Sequence, residues 1–252
     1  MTLLATAGAS AEAASYTLRL AKSPADLRAV QRLRFEVFNL ELQEGLAASY
    51  ASGLDADPFD AVCDHLMVED AASGRVVGTY RMQTGACAAN ALGYYCAQEF
   101  DFSVYEALRP ELLELGRACI AHKHRSMQVL SLLWRGIAEY AMARGARYLF
   151  GCSSLTSQDP AAGNAAYVAL QTYLAPERLR TLALAAYKLP RADAVLAEVH
   201  IPKLLTAYLA LGAWICSPPA LDRNFGTIDF LTCLDLQSPH MAQRRKRFGI
   251  TS

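Results

Sequence analysis

Residues 114–120, with the sequence ELGRACI, place a carboxylate and a guanidinium in an apolar run that is typical of a β-strand. Because side chains alternate across a strand, we expect Glu114 and Arg117 on opposite faces, with Gly116 leaving room for another chain or a ligand. A charge on a buried strand is costly unless it is paired or used in chemistry. The segment therefore predicts either a structural ion pair or a functional site, and by itself it favours the ion pair.

Acidic residues crowd the stretch that follows the first predicted helix. They are Asp55, Asp57, Asp60 and Asp64, with Glu69 and Asp70 just beyond. Asp60 and Asp64 frame an apolar segment, so we expect them to be drawn inward, where a carboxylate cluster can hold an amine or ammonium group. Asp55 and Asp70 are expected to be solvated. The spacing matches neither an EF-hand loop nor a zinc site.

Three arginines also lie in apolar sequence: Arg34 on that helix, Arg81 at the end of a predicted strand, and Arg117. A planar guanidinium is the usual partner of a carboxylate or a phosphate. Acids and arginines together make a site of both signs, which suits the zwitterion of an amino acid. A set of interlocked salt bridges explains the same residues, and the sequence leaves both interpretations open.

Cysteine and histidine offer further reactive groups. Cys152 suggests a covalent intermediate, but a core thiol on a buried strand is the favoured interpretation, since no histidine stands nearby in the sequence. His65 is either a base or N–H donor, or a structural, hydrogen-bonded imidazole. His122 and His124, beside Lys123 and Arg125, form a basic patch at a predicted helix start that either meets an acidic partner protein or is solvated.

Hydrophobic periodicity predicts an α/β (α+β) fold in one mixed layer structure, without strict alternation of strand and helix. The predicted strands are YTLRL, HLMVED, VVGTYRMQ, LLELGRACI, RYLFGCSSL, AWICSP and GTIDFLTCLDL. The second and third strands form a hairpin. Helices are predicted at about 24–38, 126–145, 164–174 and 202–211. RYLFGCSSL is nearly continuous in apolar residues, as in a strand buried on both faces.

Composition limits the functional classes. The chain has 252 residues, which suits one large domain or two small ones, and its formal net charge of zero argues against a general nucleic-acid binder. No apolar run is long enough to cross a bilayer, and the start lacks a convincing secretory signal. Seven cysteines without a CxxC motif favour free thiols in a reducing cytoplasm. We predict a disordered lead-in at 1–14, a single domain at 15–238 and a basic tail at 239–252.

A series of motifs runs in order along the chain. They are LRFEVF, DPFDAVCDHL, VGTYR, YYCAQEFD, ELGRAC, LWRGIAEY, LFGCSSL, YLALGAWI and ALDRNFGTIDFL. The similarity that they carry covers about 18–236, nearly the whole chain. The series resembles the GNAT-like ornithine–acyl carrier protein N-acyltransferases, the ornithine-lipid or hemolysin-like acyltransferase family, which is distantly similar to the acyl-homoserine-lactone synthases. Each motif alone is weak, but their order makes the resemblance specific.

The resemblance implies a GNAT acyl-CoA N-acyltransferase-like fold, with a mixed central sheet flanked by helices. LLELGRACI and RYLFGCSSL are expected to splay apart and hold the pantetheine arm of an acyl-phosphopantetheine donor. The expected donor-binding residues are Leu115, Ala118, Cys119, Arg125, Ser126, Cys152 and Ser153. The helix after ELGRACI begins at HKHRSMQ, where backbone amides can meet phosphate. This segment lacks a glycine-rich pyrophosphate loop, which favours acyl carrier protein over acyl-CoA as donor. No bound cofactor or metal is expected.

The chemistry that the resemblance implies is transfer of a long-chain or 3-hydroxy acyl group to the α-amine of an amino acid. The free amine, with a pKa of about 8, needs modest help to lose its proton. Glu114 is the first candidate for the base, and Asp64 and His65 are further catalytic candidates. Five residues are expected to bind the acceptor: Arg34, Asp57, Asp60, Arg81 and Arg117.

The acceptor stays open at this point. The run TAYLALG, 206–212, has Thr206 and Ala210 where members of the resembled family carry basic residues. Ornithine is therefore a lead, and glycine, another amino acid or a small amine remain alternatives. Two other functions also remain: an acyl-homoserine-lactone-type signal synthase, and a non-enzymatic membrane-surface protein whose basic tail touches anionic lipid. We expect a cytoplasmic protein, with peripheral contact at the inner membrane as an alternative.

Overall fold

The computed structural model describes residues 16–192 and 201–244, and of 242–244 the backbone alone. These residues form two compact units. The first contains the chain up to Gln83 together with Leu115–Arg144, and the second contains Thr84–Glu114 and Gly145–Arg244. The predicted domain at 15–238 thus contains two units. The predicted lead-in and the basic residues after position 244 lie outside the described residues.

The secondary structure alternates strands and helices only in part, as predicted. The strands are β1 Tyr16–Leu20, β2 Asp64–Asp70, β3 Val76–Thr84, β4 Leu112–Ile120, β5 Tyr148–Leu155, β6 Trp214–Ile215, β7 Ala220–Asp222 and β8 Thr227–Asp235. The helices are α1 Pro24–Phe35, α2 Ser49–Ser52, α3 Gly85–Asn90, α4 Met127–Ala143, α5 Pro160–Ala169, α6 Lys203–Ala210 and α7 Pro239–Arg244. None of the described helices combines the length and apolar character that crossing a bilayer requires.

In the first unit, β1, β2 and β3 are neighbouring antiparallel strands, and β4 follows β3 in the strand order. The predicted hairpin is confirmed: β2 pairs with β3 from Asp64↔Met82 onward, with a register shift between Val68 and Glu69. Such a shift bends the strand locally and increases its twist. The hairpin carries Arg81 on β3, and it places His65 opposite that residue.

Helix α1 begins with a complete capping box, in which Ser23 accepts from the Asp26 amide and Asp26 reaches back to the Ser23 amide. The helix then continues as a π-helical segment, Glu36–Glu41, which the sequence pattern did not indicate. Helix α4 packs closely on the sheet, because a Cβ built on Gly136 would lie 2.8 Å from a methyl group of Leu18.

In the second unit, β5 lies between the start of β4, which is parallel to it, and β8, which is antiparallel. The β4–β5 register in the described residues runs from Leu112↔Tyr148 to Glu114↔Phe150. Residues 148–151 of β5 are buried, as predicted for a strand covered on both faces, whereas its later residues are in part only half-buried. The sheet is therefore mixed, as predicted. Short β7, which also pairs with β8, was not predicted.

A tight contact in the second unit yields the first testable prediction. A Cβ built on Gly85 would lie 2.0 Å from the carbonyl oxygen of Arg109, a backbone atom with little freedom to move. Gly85→Ala should therefore lower the free energy of unfolding by about 1–3 kcal/mol, as overpacking does. Chemical denaturation of the two proteins measures the difference.

Gly116→Ala is the matched control, because no described atom lies within 4 Å of a Cβ built there. Its free energy of unfolding should stay within about 0.5 kcal/mol of the parent. Equal stability of Gly85→Ala and the parent protein would contradict the packing described here.

Candidate active site

A buried guanidinium organises the first unit. Arg34 on α1 has no exposed surface, and its Nε donates to Asp55 Oδ2 at 2.8 Å while its Nη2 donates to Asp60 Oδ2 at 2.7 Å. Such a charge is tolerated in a low-dielectric interior only when carboxylates and hydrogen bonds compensate it. The helix thereby fixes the position of the acidic loop that precedes β2.

Asp60 is the most heavily bonded carboxylate of that loop. Besides the bonds from Arg34, it accepts from Gln31 Nε2 at 2.8 Å and from Arg81 Nη1 at 2.9 Å. Burial alone would raise the pKa of Asp60, but the hydrogen bond and charge of Arg34 and the charge of Arg81 outweigh it. The net effect holds the pKa well below its usual range, so Asp60 is ionised at neutral pH.

Asp57 joins two further arginines. Its Oδ1 accepts from Arg81 Nη1 at 2.6 Å and its Oδ2 from Arg117 Nη2 at 2.9 Å, while Arg117 Nε lies 3.2 Å from Asp55 Oδ2. Burial acts to raise the pKa of Asp57, and the charges of the two arginines lower it overall. We call the set the ion-pair cluster. It consists of Arg34, Asp55, Asp57, Asp60, Arg81 and Arg117.

The ion-pair cluster decides between the two interpretations of these residues. Three arginines face three aspartates in it, so its formal charges cancel. The salt-bridge interpretation is the one that the geometry supports, and the carboxylate of Asp60 is already engaged by arginines. Asp55, expected to be solvated, is fully buried because it neutralises Arg34 and Arg117.

Two further acids differ from expectation. Asp70 is buried rather than solvated, since its carboxylate accepts the hydroxyl of Ser73 at 2.6 Å in the turn after β2. Asp64 was expected to be drawn inward, yet its side chain is 45 % exposed, and it accepts the hydroxyl of Tyr140 at 2.6 Å. The exposed position suits a strand end better than an ammonium site.

His65 is a buried, hydrogen-bonded imidazole. Its Nε2 lies 3.1 Å from the carbonyl oxygen of Asp60, which assigns the proton to Nε2, and its Nδ1 has no hydrogen-bond partner among the described residues. Burial lowers the pKa of His65, so the ring is neutral at neutral pH. The structural interpretation of this residue fits best.

The start of α4 holds several of the expected donor-binding residues. Ser126 is the N-cap, and its hydroxyl accepts from the amide of Val129. Arg125 is exposed and pairs with Glu41 through contacts of 2.6 and 2.9 Å. On β4, Leu115 and Ala118 are partly buried, while Cys119 is a buried thiol whose pKa is raised by burial.

Strand β4 does not alternate regularly, contrary to the expectation for Glu114 and Arg117. Arg117 has a φ of 49°, in the left-handed region that a non-glycine residue seldom occupies. Backbone strain of this kind persists where surrounding contacts overdetermine it, and it clusters at functional sites. Here the hydrogen bond from Arg117 to Asp57 and the ion pair of Arg117 with Asp55 are among those contacts.

Glu114 belongs to the second unit and is only 4 % exposed. Its Oε1 accepts the amide of Cys96 at 2.8 Å, and its Oε2 accepts the amide of Tyr95 at 2.9 Å. These amides stand at the start of the 3₁₀ turn Cys96–Gln98, where backbone donors lack helical partners. The carboxylate is thus oriented by two backbone dipoles in a buried position.

Cys152 lies beside a second thiol. Its Sγ is 3.4 Å from Sγ of Cys96, and that contact, together with burial, raises the pKa of Cys152 well above its usual value. The group is a protonated thiol at neutral pH, so the structure supports the core-thiol interpretation over a covalent nucleophile. Its neighbour Ser153 exchanges a hydrogen bond of 3.1 Å with Thr232. All seven cysteines are free.

Two buried acids beside Cys152, Glu99 and Asp229, were not selected by the sequence analysis. Carboxylate oxygens of Glu99 and Asp229 and the sulfur of Cys152 all lie within 4.8 Å of one another. Both acids stand in motifs quoted above, EFD and GTIDFL, so the only sequence signal was an acid inside an apolar, motif-bearing segment.

The class of the protein follows from fold and family together. Residues 33–135 of the chain match the family model of the acetyltransferase (GNAT) domain. The fold is that of the AHL synthase LasI (TM-score 0.53, 12 % identity, 94 % of this chain and 96 % of that chain). It is equally that of FeeM, an N-acyl amino acid synthase from uncultured soil microbes (TM-score 0.53, 13 % identity, 93 % and 95 %). The chain is an acyltransferase of the GNAT class.

Curated relatives narrow the assignment. The L-ornithine N(alpha)-acyltransferase of Rhodobacter capsulatus is 35 % identical over 249 residues, covering 93 % of this chain and 94 % of the relative. The enzyme of the same name from Brucella abortus is 35 % identical over 246 residues, covering 88 % and 85 %. The chain belongs to the L-ornithine N(alpha)-acyltransferase family.

The ion-pair cluster predicts an acid-sensitive contribution to stability. Asp60→Asn leaves two buried guanidiniums short of a charge, so it should cost about 3–5 kcal/mol of unfolding free energy at pH 7. Because the folded-state pKa of Asp60 is depressed, its contribution is complete above the unfolded pKa of about 4 and is lost as pH falls below that value. The difference between variant and parent should therefore shrink from pH 7 to pH 3, as urea denaturation at each pH would measure.

Glu36→Gln is the control for this comparison. Glu36 forms an exposed pair with Arg75, and exposed pairs contribute at most about 1 kcal/mol. A pH-independent loss in Asp60→Asn, or a loss as large in Glu36→Gln, would count against the cluster as the source of acid sensitivity.

Proposed function

We propose that this chain transfers a long-chain acyl group from acyl carrier protein to the α-amine of L-ornithine. The acceptor is supported by the names of the curated relatives, which share about a third of their sequence with this chain over most of its length. The observation that carries the chemistry is Glu114, a buried carboxylate held by two backbone amides. The product is an N-acyl amino acid, a lyso-ornithine-lipid.

The proposed reaction forms one amide bond and breaks one thioester bond. The nitrogen of the neutral α-amine attacks the acyl carbonyl carbon, and the carbon–sulfur bond breaks as the phosphopantetheine thiolate leaves. Glu114 accepts the proton that the nitrogen loses, directly or through a water molecule, and that proton restores the thiol. General-base help of this kind contributes roughly 10²–10⁴-fold to the rate.

The ion-pair cluster takes a positioning role in this proposal. Since every aspartate in it faces an arginine, it offers little uncompensated charge to an acceptor. It instead connects α1, the acidic loop and β3 with the residues of β4 that follow Glu114 along the chain. In this proposal Asp57 and Asp60 do not bind the acceptor directly. They hold the arginines that fix the geometry of β4.

Acyl carrier protein is the proposed donor. The segment 121–127 contains no glycine, whereas a CoA pyrophosphate calls for several free amides at a glycine-rich turn. In this segment Arg125 forms an ion pair with Glu41, and Ser126 is the N-cap of α4. Exposed Lys123 is available to an acidic carrier surface. Peripheral contact with a membrane and a 3-hydroxy preference remain predictions of the family resemblance.

The reaction class is tested with purified protein, palmitoyl-loaded carrier protein and L-ornithine, followed by mass spectrometry. The expected product is N-acylornithine, with acyl-CoA giving at least tenfold lower kcat/KM than the carrier-bound donor. Equal use of both donors would remove carrier protein from the proposal. A lactone formed from S-adenosylmethionine, without an acylated amino acid, would favour the signal-synthase alternative.

The base assignment predicts a separate kinetic result. Glu114→Gln should lower kcat by about 100-fold or more while KM for the acceptor changes little, because the amide cannot accept a proton at neutral pH. Glu106→Gln, an exposed acid in the same unit, is the matched control and should keep full activity. Full activity of a folded Glu114→Gln protein would exclude Glu114 as the base.

Substitution of Gly116, two residues after Glu114, should lower activity without lowering the stability of the protein. Space beside Gly116 is open, so Gly116→Ala folds normally, but the added methyl group would occupy room expected for a ligand. Its kcat/KM should fall at least tenfold with an unchanged melting temperature. Parent-like kcat/KM would show that no substrate approaches this position.

A further inference from the structure

The second unit contains a pair of buried acids that the proposed reaction does not yet use. Glu99 is 2 % exposed and Asp229 is 4 % exposed, and we call them the acid pair. Glu99 directly follows the turn whose amides hold Glu114, and Asp229 lies on β8 opposite Ser154 of β5. Glu99 therefore lies next to the turn that holds Glu114, and Asp229 lies on a strand of the second unit that pairs with β5, the neighbour of β4.

Asp229 is not compensated in the way that the acids of the ion-pair cluster are. Among the described residues no arginine, lysine or histidine forms an ion pair with it, and its Oδ1 has no hydrogen-bond partner. Burial raises the pKa of Asp229 to about 6, although hydrogen bonds with Ser154, Thr227 and Glu99 offset part of that effect. A buried carboxylate oxygen without a donor costs free energy unless a ligand supplies one.

Direct contacts connect the acid pair to the proposed base. The amide of Cys96 donates to Glu114, the sulfur of Cys96 touches that of Cys152, and Cys152 lies within 4.8 Å of both acids. The acid pair and the proposed base are thus joined by a short series of contacts within the second unit. The reacting end of an acceptor would meet Glu114, and its far end would meet the acid pair.

The chemistry of the pair favours an ammonium over a metal ion. A primary ammonium carries one charge and three N–H donors, which matches a buried pair of carboxyl groups in which Oδ1 of Asp229 has no hydrogen-bond donor. A transition metal would require a thiolate from Cys152, and the neighbouring sulfur and burial raise the free-energy cost of forming it. No histidine belongs to the group.

We propose that Glu99 and Asp229 form the subsite for the side-chain ammonium of the acceptor, and hence select a diamino acid over neutral amino acids. This rests on the proposed acyl transfer to an amino acid. It also accounts for acceptor selection without the basic residues missing from the run 206–212.

Acceptor competition tests the subsite. Parent protein, Asp229→Asn and Glu99→Gln are assayed with L-ornithine and with L-norvaline, which has the same carbon chain without the amine. The ratio of kcat/KM for ornithine over norvaline should fall about 10- to 100-fold in either variant, as expected for a lost charged hydrogen bond. The change should appear in KM for ornithine rather than in kcat. An unchanged ratio in folded variants would overturn the proposal.

Asp159→Asn is the control, since it removes an exposed negative charge while asparagine preserves the N-cap of α5. Its ratio should equal that of the parent. Calorimetric binding of ornithine and norvaline to the parent protein requires no variant, and equal affinities would overturn the subsite even if both variants unfold. So would a stoichiometric metal in the parent protein that is absent from Asp229→Asn.

These measurements separate the subsite from the proposed function. Ornithine acylation with an unchanged ratio in the variants would retain the function and reject the subsite. Preferential binding of ornithine that Asp229→Asn abolishes, without any acylation, would retain the subsite and reject the function.

Discussion

The first unit depends on the solvation of one guanidinium. Arg34 is wholly removed from water, and a buried charge of that kind is stable only if fixed carboxylates replace its hydration shell. Asp55 and Asp60 do so, which draws the acidic loop against α1. Those acids then require their own partners, and Arg81 and Arg117 supply them. Within the first unit, the position of each element that carries the ion-pair cluster thus follows from balancing a charge on its neighbour.

The buried carboxylates discussed above differ in the partners that surround them, and they fall into three kinds. The carboxylates of the ion-pair cluster face arginines and stabilise the fold. Glu114 faces two backbone amides, which orient it without neutralising it. Asp229 faces another acid and a thiol, and retains an oxygen without a donor. Acids that face arginines stabilise the fold, whereas Glu114, held by backbone amides, and Asp229, with no cation in an ion pair among the described residues, are the acids that the proposals use.

Much of the fold could be predicted from the sequence, because β1 to β5 and β8 carry clear apolar patterns and α1 and α4 have cap residues at their starts. The π-helical segment after α1, short β7 and the left-handed Arg117 could not, since tertiary contacts determine them. Composition alone made Asp55 look solvated. The acid pair was missed because only tertiary contacts bring Glu99 and Asp229, which are far apart in sequence, close to each other.

The internal neutrality of the ion-pair cluster sets the range of its electric field. Opposite charges a few ångströms apart act as a multipole, whose potential decays much faster with distance than that of a net charge. At physiological salt the screening length of about 8 Å removes what remains beyond the surface. The cluster therefore cannot guide a charged donor through solvent. Any ionic-strength dependence of the encounter rate must come from surface cations such as Lys123, while the interior stays insensitive to salt.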